Sequence, residues 1–363
     1  MPPDYRPPAQ VSPMKFEATA SAPLLSLCIP TYNRSSTLLA LVRRILSQNC
    51  ADLQVVVLDN GSTDDTLTRL SEIDDPRLVV LSNGVNRGVL FNVVNVLVQG
   101  TGTYSALLLD KDLLDPTLIP GFLQFLREAQ PECGYCEYGL PVDAAPRRFE
   151  TGAPALRGVA YSCHHPTGYF FRTDSLRAID ITTRFTDYEV VGHFPFEFMQ
   201  AELCVRGPAA IYQTPIFSPE VLQLAKSAKS HGTHAGREDA FFSPKGRLKM
   251  TVNFSHHISS LAIDPAVKRE LIIDRFAQGL RQSTVEFRRL MADGNICDHY
   301  HIAPRRIGAL ETLRTGWWFH RQFSDRVLRC APVEAKLTQG RLLVGMLRRF
   351  RQAISRRLAR RFA

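Results

Sequence analysis

Ser105-Ala-Leu-Leu-Leu-Asp110-Lys111-Asp112 is an apolar run that ends abruptly in two carboxylates. A run of this length, bounded by turn-like sequence, predicts a strand buried on both faces, as in parallel sheets. Asp110 and Asp112 then stand where the strand leaves the sheet, and in open α/β sheets ligands bind at that edge. Two acids one residue apart suit a hard divalent cation that also holds substrate phosphates. Taken by itself the pair reads first as a turn, because Asp is common after strands. Its chemistry depends on what the rest of the chain brings to the same edge.

The upstream chain repeats the pattern. Leu24-Leu-Ser-Leu-Cys-Ile-Pro30 predicts a strand that Thr31-Tyr32-Asn33-Arg34 breaks. Ser35 or Ser36 caps a helix whose apolar positions Leu38, Leu41, Val42 and Ile45 follow helical spacing. Leu53 to Leu58 is a second strand, ending in Asp59-Asn60-Gly61-Ser62, and Thr63 and Asp64 open a helix through Leu67, Leu70 and Ile73. Leu78 to Leu81 is a third strand. Asn86-Arg87-Gly88 leads into a helix with Leu90, Val93, Val94 and Leu97, and Tyr104 to Leu109 is the fourth strand. Strand alternating with helix at this spacing implies right-handed βαβ units. The fold class is α/β, a doubly wound, mostly parallel sheet with a helical C-terminal extension.

Downstream, Pro116 opens a helix through Leu118, Phe122, Phe125 and Leu126, and residues 133–172 read as short strands and turns. Pro195 sits at the first turn of a helix through Phe198, Leu203 and Val205 that Gly207 ends, and Ala210 to Gln213 adds a strand. Lys226 to Gly236 is polar, basic and Gly-interrupted, a mobile loop or a solvated linker. From Arg247 onward the pattern is helical. The expected organisation is a flexible Pro-rich leader over 1–22, a nucleotide-binding domain over 23–240, a helical extension over 241–340 and a basic amphipathic helix over 341–363.

A chain of 363 residues, 45% hydrophobic and 22% charged, has the make-up of a globular protein. No stretch has the length and apolarity of a transmembrane helix. The N-terminus lacks the apolar segment of a signal peptide, which points to the cytoplasm. Eight scattered cysteines do not read as a disulfide framework. Cys133-Gly-Tyr-Cys136, with Cys163-His164-His165, permits a zinc site, but buried structural thiols fit the strand-like context better. The formal charge of +9 is concentrated in the tail, where no acid follows Glu334.

Three strand ends thus carry polar residues suited to a nucleotide diphosphate: Thr31 and Asn33, then Asp59, then Asp110 and Asp112. Asp59 is a fixed acceptor for a base N–H or a ribose hydroxyl. The first βα turn lacks both the glycine-rich dinucleotide fingerprint and the P-loop lysine motif, which disfavours redox and NTPase readings.

LLSLCIPTYNR (24–34), VVVLDNGSTDDT (55–66), NRGVLFN (86–92) and LLLDKDLLDP (107–116) together resemble the successive motifs of family 2 glycosyltransferases, with the Asn86–Asn92 arrangement closest to the O-antigen, abequosyltransferase-like branch. The resemblance covers residues 24–215 and implies a GT-A fold, a nucleotide-sugar donor, a saccharide or lipid-linked acceptor, and inverting hexosyl transfer. It implies that Pro30, Thr31, Tyr32 and Arg34 line the nucleotide pocket and that Asp59 holds the base. Asp110 would lie near ribose and metal, and Asp112 would be the main ligand of Mg²⁺ or Mn²⁺. Lys111 stands where an acid is frequent, and Phe91 where many relatives have an arginine. These departures leave a catalytically inactive nucleotide-sugar-binding protein as the alternative.

Inversion by one displacement needs a single general base for the acceptor hydroxyl. The family places it near the start of an acceptor-side helix, where this chain offers Asp187, Glu189, Glu197 and Glu202. Glu197 is nearest the expected position, with His193 second, because the familiar Glu-Asp pair is replaced by His193-Phe-Pro-Phe-Glu197. His164, His165 and Tyr169 could line the acceptor site or be structural. In the tail, Leu343, Leu347, Phe350, Ile354, Leu358 and Phe362 recur at helical steps among arginines. Such a helix suits docking on an anionic membrane surface, at the inner face of the cell membrane, or packing on the catalytic domain. Nucleic acid is not expected as a partner, since no stacking-aromatic module accompanies the charge.

Overall fold

β1 (Leu25–Thr31), β2 (Leu53–Asp59), β3 (Leu78–Ser82) and β4 (Tyr104–Leu107) fall on the four apolar runs, with β4 ending at Leu107 rather than the expected Leu109, and lie parallel, in the order β3-β2-β1-β4. The computed structural model describes residues 22–137, 145–162, 164–218 and 240–328. Two compact units, Met1–Leu224 and Ala225–Ala363, make up the chain.

In the first unit, α1 (Ser35–Leu46), α2 (Thr66–Leu70) and α3 (Val89–Asn95) are the crossovers between the parallel strands. Successive residues of a strand point to opposite faces. Leu25, Leu27 and Ile29 accordingly share one core with Leu38, Leu41, Val42 and Ile45 of α1. Ser26 faces the other way and meets Gly100 and Gly102. A Cβ on Gly100 would stand 2.5 Å from the Ser26 Cβ, so only glycine fits. The N-terminus of α1 takes no cap from its serines; the Ser35 amide donates instead to Asp64 Oδ2, at 3.4 Å.

Beyond β4 the direction changes. β5 (Leu113–Leu114), α4 (Ile119–Ala129), β6 (Cys133–Cys136), β7 (Arg147–Phe149), α5 (Ala153–Gly158), β8 (Tyr169–Arg172), α6 (Thr173–Ala178), α7 (Ile181–Arg184), α8 (Tyr188–Val191), α9 (Pro195–Arg206), β9 (Ala209–Tyr212) and β10 (Phe217–Ser218) follow in order. β8 runs antiparallel to both β4 and β6, β9 is parallel to β6, and β7 closes the edge antiparallel to β9. The full order is β3-β2-β1-β4-β8-β6-β9-β7, with β5 and β10 paired apart. Residues 133–172 therefore hold a helix, α5, as well as the expected strands. Cys133 and Cys136 stand three apart on one strand and so face opposite ways. Cys133 Sγ lies 3.7 Å from Cys204 Sγ, while Cys136 joins the apolar core, so the pair cannot clamp one zinc ion.

The second unit has helices and no strand among its described residues, with α10 (Pro244–Ser260), α11 (Pro265–Arg281), α12 (Phe287–Ala292), α13 (Gly294–His299) and α14 (Ala309–Phe323). Ser243 and Asp264 cap α10 and α11 by accepting from the amides of Gly246 and Ala266, each with proline in the first turn. Leu248, Val252, Phe276, Phe319, Phe323 and Val327 form its core. The expected leader, the loop at 226–236 and the basic helix at 341–363 lie outside the described residues. No helix among the described residues is long and apolar enough to cross a membrane.

Candidate active site

The β1 turn and the β2 turn are stitched together at the C-terminal edge of the sheet. Asn33 adopts a left-handed backbone, with φ 53°, which Asn tolerates better than most residues. Its amide donates to Ser62 Oγ at 2.9 Å, and its side-chain oxygen accepts from the Thr63 amide at 2.8 Å. Tyr32 is left 40% exposed at this edge, while Pro30 is buried within β1.

Asp59 lies beneath the turn. Its carboxylate accepts from the amides of Gly61 (3.0 Å) and Ser62 (3.1 Å) and from Ser82 Oγ (3.0 Å), and the residue is fully buried. Its oxygens hold the loop that follows β2. Four asparagines extend the scaffold. Asn83 donates to Asn60 and Asn92 at 3.1 and 2.9 Å, Asn60 donates to Asn86 at 3.0 Å, and Asn92 donates to the Leu58 carbonyl at 3.0 Å. Phe91 does not leave its position without a cation: the Arg87 guanidinium stacks 3.8 Å over its ring.

Past β4, Asp110 is buried against the β1 turn. Its Oδ2 accepts from Thr31 Oγ1 at 2.9 Å, and Arg34 Nε lies 3.4 Å from Oδ1. Burial pushes this carboxyl up to about 6, against the opposing pull of Arg34, Thr31 and Lys111. Asp112 is buried too. Its Oδ2 takes His165 Nε2 at 2.6 Å and the Thr167 hydroxyl. Thr167 Oγ1 in turn accepts from the Leu109 amide at 3.0 Å. The other oxygen, Asp112 Oδ1, is buried with no hydrogen-bond partner.

An orphaned carboxylate oxygen is expensive unless a cation or donor reaches it. Mg²⁺ is commonly held by one or two carboxylates plus substrate phosphates, so the donor set fits such an ion. Among the described residues no group of three His, Cys, Asp or Glu could hold a metal alone, so phosphate oxygens would have to complete the shell.

The acceptor-side candidates are more scattered. Glu197, in the first turn of α9, is fully buried, and its Oε1 accepts from the Tyr169 hydroxyl. His193 is half-buried, with its Nε2 against the Tyr188 hydroxyl. Asp187 is exposed and caps α8 through the Glu189 amide at 2.8 Å, and Glu189 is exposed beside it. Glu202 pairs with Arg184 at 2.5 Å. His164 stacks on Tyr135 at 4.0 Å, and burial lowers its pKa. Thr167 had no signal in the sequence: it is an isolated threonine 55 residues from Asp112.

Residues 26–184 match the family model "Glycosyl transferase family 2". Over 120 residues the chain is 28% identical to the UDP-Glc:alpha-D-GlcNAc-diphosphoundecaprenol beta-1,3-glucosyltransferase WfaP of Escherichia coli, covering 33% of this chain and 48% of that protein. It is 34% identical over 116 residues to an E. coli chondroitin synthase, covering 31% of this chain and 17% of that one. The chain thus spans less than half the length of these relatives. Among solved structures, S. aureus TarS 1–349 shares the fold with TM-score 0.57 and 15% identity, covering 91% of each chain. The same protein with UDP-GlcNAc gives TM-score 0.55 and 14% identity, covering 91% of this chain and 92% of that one.

Proposed function

We propose that this chain, whose residues 26–184 form a family 2 glycosyltransferase domain, moves a sugar from a UDP-sugar donor to a saccharide or lipid-linked acceptor with inversion. One observation carries the reading most: Asp110 and Asp112 leave β4 beside Thr31 and Arg34, with one buried carboxylate oxygen lacking a partner. The choice of UDP and of a lipid-linked acceptor is suggested by the name of the E. coli glucosyltransferase. Work on a lipid-linked acceptor would place the protein at the inner face of the cell membrane.

In this reading Tyr32 offers its exposed ring to the base, and the turn held by Asp59 shapes the base pocket. Arg34 and Lys111 supply fixed positive charge toward the diphosphate. Asp112, with Asp110, would hold Mg²⁺ or Mn²⁺, which neutralises the leaving diphosphate. His165 and Thr167 fix the Asp112 carboxylate so that Oδ1 points the right way. The acceptor hydroxyl attacks the anomeric carbon from the face opposite the diphosphate, the glycosidic C–O bond breaks, and the hydroxyl proton passes to a base. We assign that base to the α8–α9 segment, where Asp187, Glu189 and His193 are less buried than Glu197. Glu197 is a positioning residue for Tyr169.

The test is transfer or slow hydrolysis of UDP-sugars with Mn²⁺. Activity that Asp112→Ala abolishes supports the assignment. A protein that binds UDP-sugars tightly but never turns them over, with any acceptor, would be the inactive binding protein that Lys111 and Phe91 keep in view.

A further inference from the structure

α14 is apolar on the wrong side as well as the right one. Gly316, Phe319 and Phe323 are buried in the helical unit. At about 100° per residue, Leu310, Leu313 and Trp317 fall on the opposite face, within an arc that also holds Arg314 and Arg321. That face is open: Leu310 is 62% exposed and Trp317 61%, with Leu313 at 43%. A surface helix normally presents polar residues there. Glu311, on the same helix, is paired with Arg305 at 2.8 Å. Arg321 lies over the Trp317 ring at 5.5 Å. The stripe is therefore aliphatic and aromatic, edged by guanidinium groups.

We propose that this face of α14 docks on an anionic lipid bilayer, with Leu310, Leu313 and Trp317 entering the headgroup boundary and Arg314 and Arg321 meeting lipid phosphates. Three observations favour a bilayer over a protein partner. Trp and Arg on one narrow stripe are the pair that suits a boundary with an apolar and a charged side. The charge of the chain is partitioned in the right direction: residues 240–363 hold 24 Lys and Arg against 9 Asp and Glu, while residues 1–239 hold 20 against 26. Finally, the stripe is only three side chains long, too small for the buried core of a stable protein–protein interface. The docking face lies wholly within described residues. It does not depend on the donor site, so a membrane-inert protein could still be a transferase.

The two tryptophans of the chain are Trp317 and Trp318, which makes the test direct. In the full-length Trp318→Phe variant, emission reports on Trp317 alone. Vesicles of phosphatidylcholine with phosphatidylglycerol should shift its emission to the blue, and brominated acyl chains should quench it. Neutral vesicles should bind at least tenfold more weakly, and 0.5 M NaCl should weaken the anionic binding strongly. The Leu310→Glu/Leu313→Glu variant should lose vesicle binding by at least tenfold while keeping its helical content. Binding to vesicles without any change or quenching of Trp317 would overturn the proposal, since the contact would then lie elsewhere in the chain. A doubled mass in solution that the same double variant abolishes, with no response to vesicles, would overturn it in favour of a dimer.

Discussion

Replacing Thr167 with valine removes a hydroxyl while keeping the branched shape. In the structure that hydroxyl donates to Asp112 Oδ2 and accepts from the Leu109 amide at 3.0 Å. A hydrogen bond to a charged group is worth about 1.5–3 kcal/mol, and a neutral one about 1 kcal/mol. The loss should total about 3 kcal/mol, or about 6–12 °C in the melting midpoint of a unit of this size. Thermal unfolding followed by circular dichroism gives the first readout. The second is titration with UDP and Mn²⁺, because an Asp112 carboxylate held by His165 alone aims Oδ1 less firmly at the ion. Thr167→Ser keeps the hydroxyl and should recover most of both losses. If valine melts and binds like the parent, or serine fails as badly as valine, the hydroxyl does not orient Asp112 and the reasoning is refuted.

Four shorter expectations accompany it. Glu197→Gln should keep transfer within tenfold of the parent, because it preserves an acceptor for the Tyr169 hydroxyl; a general base would lose about 10²–10⁴-fold. Gly100→Ala should destabilise the first unit by about 1–3 kcal/mol in denaturant melts, since its Cβ would meet the Ser26 Cβ at 2.5 Å. Hydrogen bonds and charge from Arg77 hold Asp75 below the ordinary carboxylate range. A depressed carboxyl gives stability that is complete above its unfolded pKa near 3.8 and lost as pH falls through its lower folded value, so Asp75→Asn should flatten the acid end of a stability-versus-pH curve. Arg77 also donates to the Leu46 carbonyl at the end of α1, so Arg77→Ala should lower the melting midpoint more than Asp75→Asn does.

The parallel half of the sheet was legible because β1, β2 and β4 are short, mostly apolar runs that stop near turn residues. What the runs could not convey was the direction of side chains at their ends. Asp59 shows in sequence as an acid leaving a strand, yet Gly61 and Ser62 turn their amides back onto it. That fold-back depends on the positive φ of Gly61, which is 75°. The sequence shows Glu197 as an acid near the start of an acceptor-side helix. In the structure Pro195 through Ala201 are all buried, so the first two turns of α9 are packed on every side and Glu197 and Gln200 are internal. His165 and Thr167 reach Asp112 from 53 and 55 residues away, through the reversal of the sheet at β8, and no local pattern announces such a contact. The helix α5 was missed because six residues ending in Gly158 carry too little periodicity to distinguish a helix from a turn.

The central claim is that the exit of β4 is a joint site for a nucleotide sugar and a divalent cation, centred on Asp112. Thermal stabilisation by UDP-sugars, measured with and without Mn²⁺ in the parent and in Asp112→Asn, tests it most directly. A ligand at about 100 times its Kd adds about 2.7 kcal/mol to the folded state. The account predicts that stabilisation in the parent with Mn²⁺, most of it gone when the metal is chelated, and none in Asp112→Asn under either condition. Equal stabilisation of the parent and Asp112→Asn, unchanged by chelation, would contradict it.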